Sequence, residues 1–405
     1  MRVSTNTLYD QGVKSMLQQQ HALFKTQQQI STGKRILTPA DDPIGSARAH
    51  ELSQAISINT QYAGNRGQAA DSLKLLDHTL AGVTDLIQHV QSLAVTAGNA
   101  ALSDSDRASI ATELRGRFEE LLGLANSADS EANFLFAGFQ SKNQPFVQTA
   151  AGVQYVGDQG QRLVQVSSSR QMAVGETGQA VFERIRNGNG VFVTAADAGN
   201  SGSGVISPGA VTSPAGLTGD EYRIDFSDIG GVTSYTITNE TTGAPVGAPV
   251  FIDIPFTSGD VIAFDGLQFE IRGMPAAGDK FHVKPSGHES LFQTMQNFIN
   301  VLEIPASGPG NARLSNVLQN TMQNLGHALD NVLSARAAAG TRLQEIDALQ
   351  QTGSAVTLQY QQSLSQLEDL DYAQAISDLM RRQTQLEAAQ QSFARIANLS
   401  LFNVI

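Results

Sequence analysis

Apolar residues recur in steps of three and four near both ends of the chain and in steps of two through its middle. Leu73, Leu76, Leu80, Val83, Ile87, Val90, Ala94 and Ala97 form a sustained heptad stripe that predicts a helix near residues 66–98. A second helix is predicted over "LSDSDRASIATELRGRFEELLGLANSA", with Ile110, Leu114, Phe118, Leu121 and Ala125 on one face. Ser103 and Asp106 stand at capping-box spacing at its start. Late in the chain Leu314, Val317, Thr321, Leu325, Ala328, Val332, Ala335 and Ala339 repeat the heptad, which continues through Ile346 and Leu349.

The two termini carry a weaker version of the same pattern. Val13, Met16, Gln20, Leu23, Gln27 and Ile30 form one seam, and Ile376, Leu379, Gln383, Leu386, Gln390 and Phe393 form the other. Glutamine interrupts both at matching steps. Polar seam positions cost stability and specify register, so these helices are expected to hold only when paired or assembled. The first end is basic around Lys34 and Arg35, and the last is acidic around Glu368, Asp369 and Asp371. Antiparallel pairing of the ends brings these two groups level, with each exposed pair worth about 0.2–1 kcal/mol.

Between about 145 and 285 the period is two. "GVQYVGDQGQRLVQVSS" reads as a β-hairpin turning at Gly-Asp-Gln-Gly. Short runs rich in Val, Ile, Phe, Tyr and Thr follow, from "NGNGVFVTA" and "EYRIDFSD" to "VIAFDGLQFEIRG" and "DKFHVKPSG". The stretch "AADAGNSGSGVISPGAVTSPAG" reads as a long surface loop. The expected fold class is therefore α+β: a helical coiled-coil or bundle rod built from both chain ends, with an inserted, mainly antiparallel β domain.

One segment, "ISTGKRILTPADDPIGSARA" (30–49), breaks the helical pattern. Gly33 ends the first helix, while Pro39 and Pro43 push the residues before them out of the helical region. Asp42 is placed as an N-cap, with Pro43 at the first helical position. The segment reads as a joint, and its carboxylates as cap and turn acceptors.

Composition narrows the function classes. The 405 residues are 41% hydrophobic and 16% charged, with net charge −12. An acidic chain does not neutralise phosphates, so nucleic acid is not an expected partner. The absence of cysteine removes disulfides, thiolate metal sites and cysteine nucleophiles. No run of about 18 apolar residues is present, so membrane insertion is not expected. The first residues have no signal-peptide pattern, which on residues alone reads as cytoplasmic. "HELSQ" (50–54) has Gln54 where a zincin needs histidine, and His78 and His89 lie about 16 Å apart along one helix. "SDSDR" lacks the rest of a calcium loop, and no nucleophile elbow occurs. No catalytic residue, cofactor or metal ligand is expected. A binding module, with Tyr222 and Tyr235 exposed toward carbohydrate, is one class left open.

"MRVST", "QQISTGKRILTPADDPIGSARA" (28–49), "LSDSDRASIATEL" (102–114), "ANFLFAGFQSKNQPF" (132–146) and the closing "AAQQSFARIANLSLFNVI" together resemble the hook-associated protein 3 family of the flagellin superfamily. Flagellins themselves are the alternative. They resemble "LQRVRELAVQ" where this chain has "IQHVQSLAVT" (87–96), with His89 and Gln91 in place of two arginines. The resemblance implies a structural junction protein between flagellar hook and filament, in three parts. These are a terminal coiled-coil assembly domain (1–40 with 366–405), a helical rod with a β-hairpin (41–184 with 286–365) and an outer β domain (185–285). It implies assembly through Val13, Met16, Leu23, Ile30, Ile376, Leu379, Leu386, Phe393 and Phe402. Implied partners are copies of the chain in a ring, the neighbouring hook-associated junction protein, flagellin, and an export chaperone on the C-terminal helix. It also implies export without a cleaved signal peptide, so the expected location becomes extracellular.

Overall fold

The computed structural model describes residues 5–247, 250–305 and 309–401. Its α-helices are α1 (Thr5–Thr32), α2 (Pro43–Ala97), α3 (Asp104–Ala125), α4 (Leu291–Leu302), α5 (Pro309–Glu368) and α6 (Tyr372–Leu401), with antiparallel strands between α3 and α4. The chain divides into two compact units, Met1–Asn65 with Asp347–Ile405, and Arg66–Ile346. The first is described with the interface below.

In the second unit the heptad stripe of α2 is its most buried surface. All eight residues from Leu73 to Ala97 in that stripe are inaccessible to solvent. A fully buried leucine contributes about 1.5–3 kcal/mol, so this stripe holds much of the unit's helical stability. Leu124 of α3 lies over Gly82 of α2, and Leu318 of α5 lies over Gly98. Asp77 of α2 accepts from Arg336 of α5 at 3.0 Å. The start of α3 is a complete capping box. Ser103 Oγ accepts the Asp106 N–H at 3.2 Å, and the Asp106 carboxylate accepts the Ser103 N–H at 3.0 Å.

Aromatic rings knit α3 and α4 to the segment between them. Phe146 meets Phe182 and Phe292 at 5.4 and 5.2 Å between centroids, and Phe136 meets Phe182 at 5.1 Å. Such pairs add about 0.5–1.5 kcal/mol each beyond their buried area. Here the structure corrects the sequence reading. Gly152–Tyr155 pairs with Phe146–Thr149, and Leu163–Ser167 pairs with Arg170–Ala173, so there are two hairpins and the expected one does not form. The Gly-Asp-Gln-Gly segment is not a hairpin turn because Asp158 has other partners. Its carboxylate accepts from the N–H groups of Phe139 (2.8 Å), Gln140 (3.1 Å) and Gly160 (2.7 Å), tying the preceding loop to this point.

The β part contains a five-stranded antiparallel sheet in the order Ile254–Pro255, Val232–Asn239, Tyr222–Ile229, Lys280–Pro285, Phe192–Ala196. Beside it lies a smaller sheet built on Val261–Phe264 and Leu267–Arg272. Their inner faces share one core, including Ile224, Ile237, Ile271 and Phe281. The expected surface loop is also corrected. It contributes Val205–Ile206 and Ala210–Val211, both paired with Leu267–Arg272. Buried Asp279 latches its glycine-rich start by accepting from Ser201 N–H (2.8 Å) and Gly202 N–H (3.0 Å).

A row of α5 side chains fastens this β part to the helices. Asn316 accepts from Ile206 N–H at 2.9 Å and Asn324 accepts from Gly188 N–H at 3.1 Å. Asn320 donates to Thr194 O at 2.9 Å, and Asn331 donates to Ala180 O and Val181 O at 2.6 and 3.0 Å. Steps of four, four and seven residues keep these amides on one face.

Candidate assembly interface

The first unit is built around α1 and α6, which pair antiparallel. Tyr9 packs on Phe393 with ring centroids 4.9 Å apart, and Gly12 faces the same ring. At the other end Gly33 faces Tyr372. A Cβ on Gly33 would stand 2.8 Å from the Tyr372 hydroxyl, and its φ of +71° also favours glycine, so no other residue fits there without strain.

The joint after α1 is held by side chains and not by a core. Asp41 accepts from Leu37 N–H and Thr38 N–H, each at 3.1 Å, and its other oxygen meets Lys25 Nζ at 2.6 Å. The Lys25 ammonium and these two amides hold the Asp41 carboxyl below the usual carboxylate range. Asp42 Oδ1 accepts from Gly45 N–H at 2.9 Å and caps α2, whose first residue is Pro43. Pro39 lies in the turn that precedes this cap.

The two charged groups fall side by side with divided roles. Lys34 Nζ meets Glu368 at 2.7 Å, and Lys34 bridges Asp369 through the main chain. Arg35 donates its side chain to Leu367 O at 2.9 Å and lies 3.9 Å from Asp42. Asp369 accepts from Ser365, and Asp371 accepts from Gln374 N–H at 3.1 Å as the cap of α6. So one ion pair joins the two groups among the described residues, while the Asp369 and Asp371 side chains serve their own segment.

In the seam between α1 and α6 the polar positions lie one residue away from those of the sequence reading. Val13, Met16, Leu23 and Ile30 are half-buried, as are Leu379, Leu386 and Phe393. Gln20, Gln27, Gln383 and Gln390 are exposed, and Gln19, Thr26 and Arg382 take the inward polar positions. A 3.6-residue turn drifts against a strict seven-residue repeat, which moves the polar seam by one residue. Ile376 is 43% exposed, with Ala375 buried in its place. Phe402 lies outside the described residues. Gln19 Oε1 and Arg382 Nε are buried without hydrogen-bond partners. Each such atom costs about 1–3 kcal/mol, which weakens the seam as a free-standing pair.

Large apolar side chains remain on the outer faces. Leu17 and Phe24, one heptad apart on α1, are about 60% exposed (58% and 62%), and Met380 on α6 is 64% exposed. Leu17, Phe24 and Leu37, with the Lys25–Asp41 pair at the rim, line a groove of about 700 Å³. Surfaces of this kind mark interaction sites. Among the described residues no cluster could hold a metal ion, and no helix is long and apolar enough to cross a membrane.

Residues 3–141 match the bacterial flagellin N-terminal helical region. Over its whole length the chain is 30% identical to flagellar hook-associated protein 3 of Salmonella typhimurium, covering 99% of that protein. The chain belongs to the hook-associated protein 3 family. Two crystal structures from Legionella pneumophila, both 28% identical, agree with this. Flagellar hook-associated protein-3 superposes with a TM-score of 0.74 over 78% of this chain and 98% of that one. The flagellar junction protein FlgL does so with 0.70 over 80% and 100%. A Salmonella phase 1 flagellin, 29% identical, matches only 124 residues, 31% of this chain.

Within this family member, His89 takes a role of its own. Its Nε2 lies 2.7 Å from Glu113, linking α2 to α3. Tyr222 and Tyr235 are buried, and the Tyr222 hydroxyl is bonded to Thr218 and Asp265, so they do not form an exposed carbohydrate platform. Leu17, Phe24 and Met380 were missed by sequence reasoning. Each stands one residue beyond a seam position (Met16, Leu23 and Leu379), on the face the sequence reading left to solvent, and the apolar pair Leu17 and Phe24 was the available signal.

Proposed function

We infer that this chain is the structural junction protein of the bacterial flagellum, seated at the distal end of the hook and adapting it to the flagellin filament. The observation that carries the reading is coverage: similarity to hook-associated protein 3 runs the whole chain, whereas similarity to a Salmonella phase 1 flagellin covers 124 residues, 31% of it. The work is mechanical. The α1–α6 pair carries unpartnered polar atoms inside and apolar side chains outside, so neighbouring subunits supply the burial it lacks alone.

The family resemblance supplies the partners proposed for that surface: copies of the chain in a ring, the neighbouring hook-associated junction protein on one side and flagellin on the other. The C-terminal helix, with Leu379, Leu386, Phe393 and Phe402, serves an export chaperone before assembly. The chain reaches the outside without a cleaved signal peptide. The parts keep separate duties, with 1–40 and 366–405 for assembly, 41–184 and 286–365 as spacer, and 185–285 as the outer β domain.

Electron microscopy of cells lacking the chain, with flagellin assayed in the medium, tests this. Bare hooks with shed, unpolymerised flagellin are expected. Hooks without any shed filament protein would assign the chain to the filament itself, and intact filaments would overturn both assignments.

A further inference from the structure

The five-stranded sheet ends at Phe192–Ala196, an edge strand paired on one side only, by Lys280–Pro285. Asp197 N–H donates to Lys280 O, so residues 195 and 193 also direct their main-chain groups toward that neighbour. Thr194 and Ala196 direct theirs the other way, into a cleft of about 370 Å³ bounded by α4 and α5. Asn320 Nδ2 takes the Thr194 carbonyl at 2.9 Å. The Ala196 N–H and C=O meet no partner among the described residues.

The cleft is built, not a gap in loose packing. Asp279 fixes the Ser201–Gly202 wall. The Asn200 side chain exchanges two bonds with the Lys280 main chain, at 2.8 and 2.7 Å. Asn316 is committed to Ile206 and Gly204. The lining acids are engaged as well, Asp197 by Gly199 N–H and Glu289 by Thr294 and Asn297. The groups left over are the Ala196 main chain, Asn320 Oδ1, Asn300 Nδ2 and the Arg313 N–H groups beyond the one given to Ala198 O. Arg313 has no carboxylate within 4.0 Å among the described residues. Val301, Ile304 and Val317 supply an apolar wall.

Donors and acceptors mixed around an apolar wall match a hydroxylated ring, and an arginine without a carboxylate partner matches an acid on that ring. We propose that this cleft binds a sugar acid, a uronic acid residue or its close analogue. The carboxylate sits on Arg313, the hydroxyls exchange hydrogen bonds with Asn300, Asn320 and Ala196, and the ring's apolar face lies on Val301 and Val317.

Titration of the full chain with methyl β-D-glucuronide, methyl β-D-glucoside and acetate, followed by ligand-observed NMR, tests the assignment. The glucuronide is expected to bind in the millimolar range, with the glucoside and acetate each about tenfold weaker. Arg313→Gln should bring the glucuronide down to the glucoside, and Asn300→Ala, on an exposed face of α4, should weaken both sugars together. Melting curves establish that both variants are folded. Equal binding of the two sugars by the unaltered chain, acetate binding as tightly as the glucuronide, or no binding at all would each overturn the proposal.

Discussion

At the scale of single residues the structure places charge where main-chain groups need it. Lys25 and two main-chain amides hold the Asp41 carboxyl low. A depressed folded value means that its contribution is present above the unfolded value and lost as pH falls through the folded one. Amide exchange at Leu37 and Thr38 should therefore accelerate selectively in that acid range, and Asp41→Asn should make it fast at neutral pH too. Glu183 has the opposite sign. Burial raises its carboxyl above the usual range, so its favourable contribution exists below the unfolded value and disappears as pH rises through the folded one. Glu183→Gln is expected to raise the melting temperature at neutral pH and to leave it unchanged in acid, where both side chains are neutral. A variant that melts lower at neutral pH would show that the carboxylate is needed for a bond and not merely tolerated.

At the scale of elements two contacts invite direct measurement. Ser103→Ala removes one half of the capping box and should cost about 1 kcal/mol in denaturant unfolding. Asn324→Ala leaves the Gly188 N–H without its partner in a buried setting and should cost about 1–3 kcal/mol. Both elements bear on what the sequence discloses. The α2 stripe and the capping box were legible because they depend on local spacing alone, and burial of Leu73 through Ala97 follows the heptad without exception. The two hairpins were not legible. Their pairing depends on Asp158 choosing amides in a loop some twenty positions earlier (Phe139 is 19 residues away), a choice that periodicity does not encode. The same holds for the amide row on α5, whose partners are 110 to 151 residues distant. Asn316, Asn320 and Asn324 look in sequence like a solvated helix face. In the terminal helices the apolar positions were readable and the polar ones of the seam were not, since glutamine suits either face equally well.

At the scale of the whole molecule the proposed role rests on surfaces that remain uncovered in a single chain. Leu386→Asp combined with Phe393→Asp puts two charges into the α1–α6 seam, where both residues are half-buried. Cells carrying this double variant should shed flagellin and fail to swim. Full motility would show that the seam is dispensable. Leu17→Asp, on the outer face of α1, should spare the melting behaviour of the purified chain and still abolish its assembly, measured by sedimentation with hook fragments. Loss of stability in that variant would move Leu17 from the interface to the fold.

The pairing of α1 with α6 also sets a sequence of events in time. The Lys34–Glu368 pair joins residues 334 positions apart, and among the described residues α6 is the main helical partner of α1. Ring closure across such a span is entropically costly until the intervening chain has already become compact. Unit Arg66–Ile346, whose contacts need neither terminus, can mature first, and α1 must wait for the last residues of the polypeptide. Pulse-labelled refolding should accordingly show α1 amides gaining protection after those of α2 near Leu80. A chain interrupted between Ile346 and Tyr372 would keep a finished second unit and an α1 without its mate.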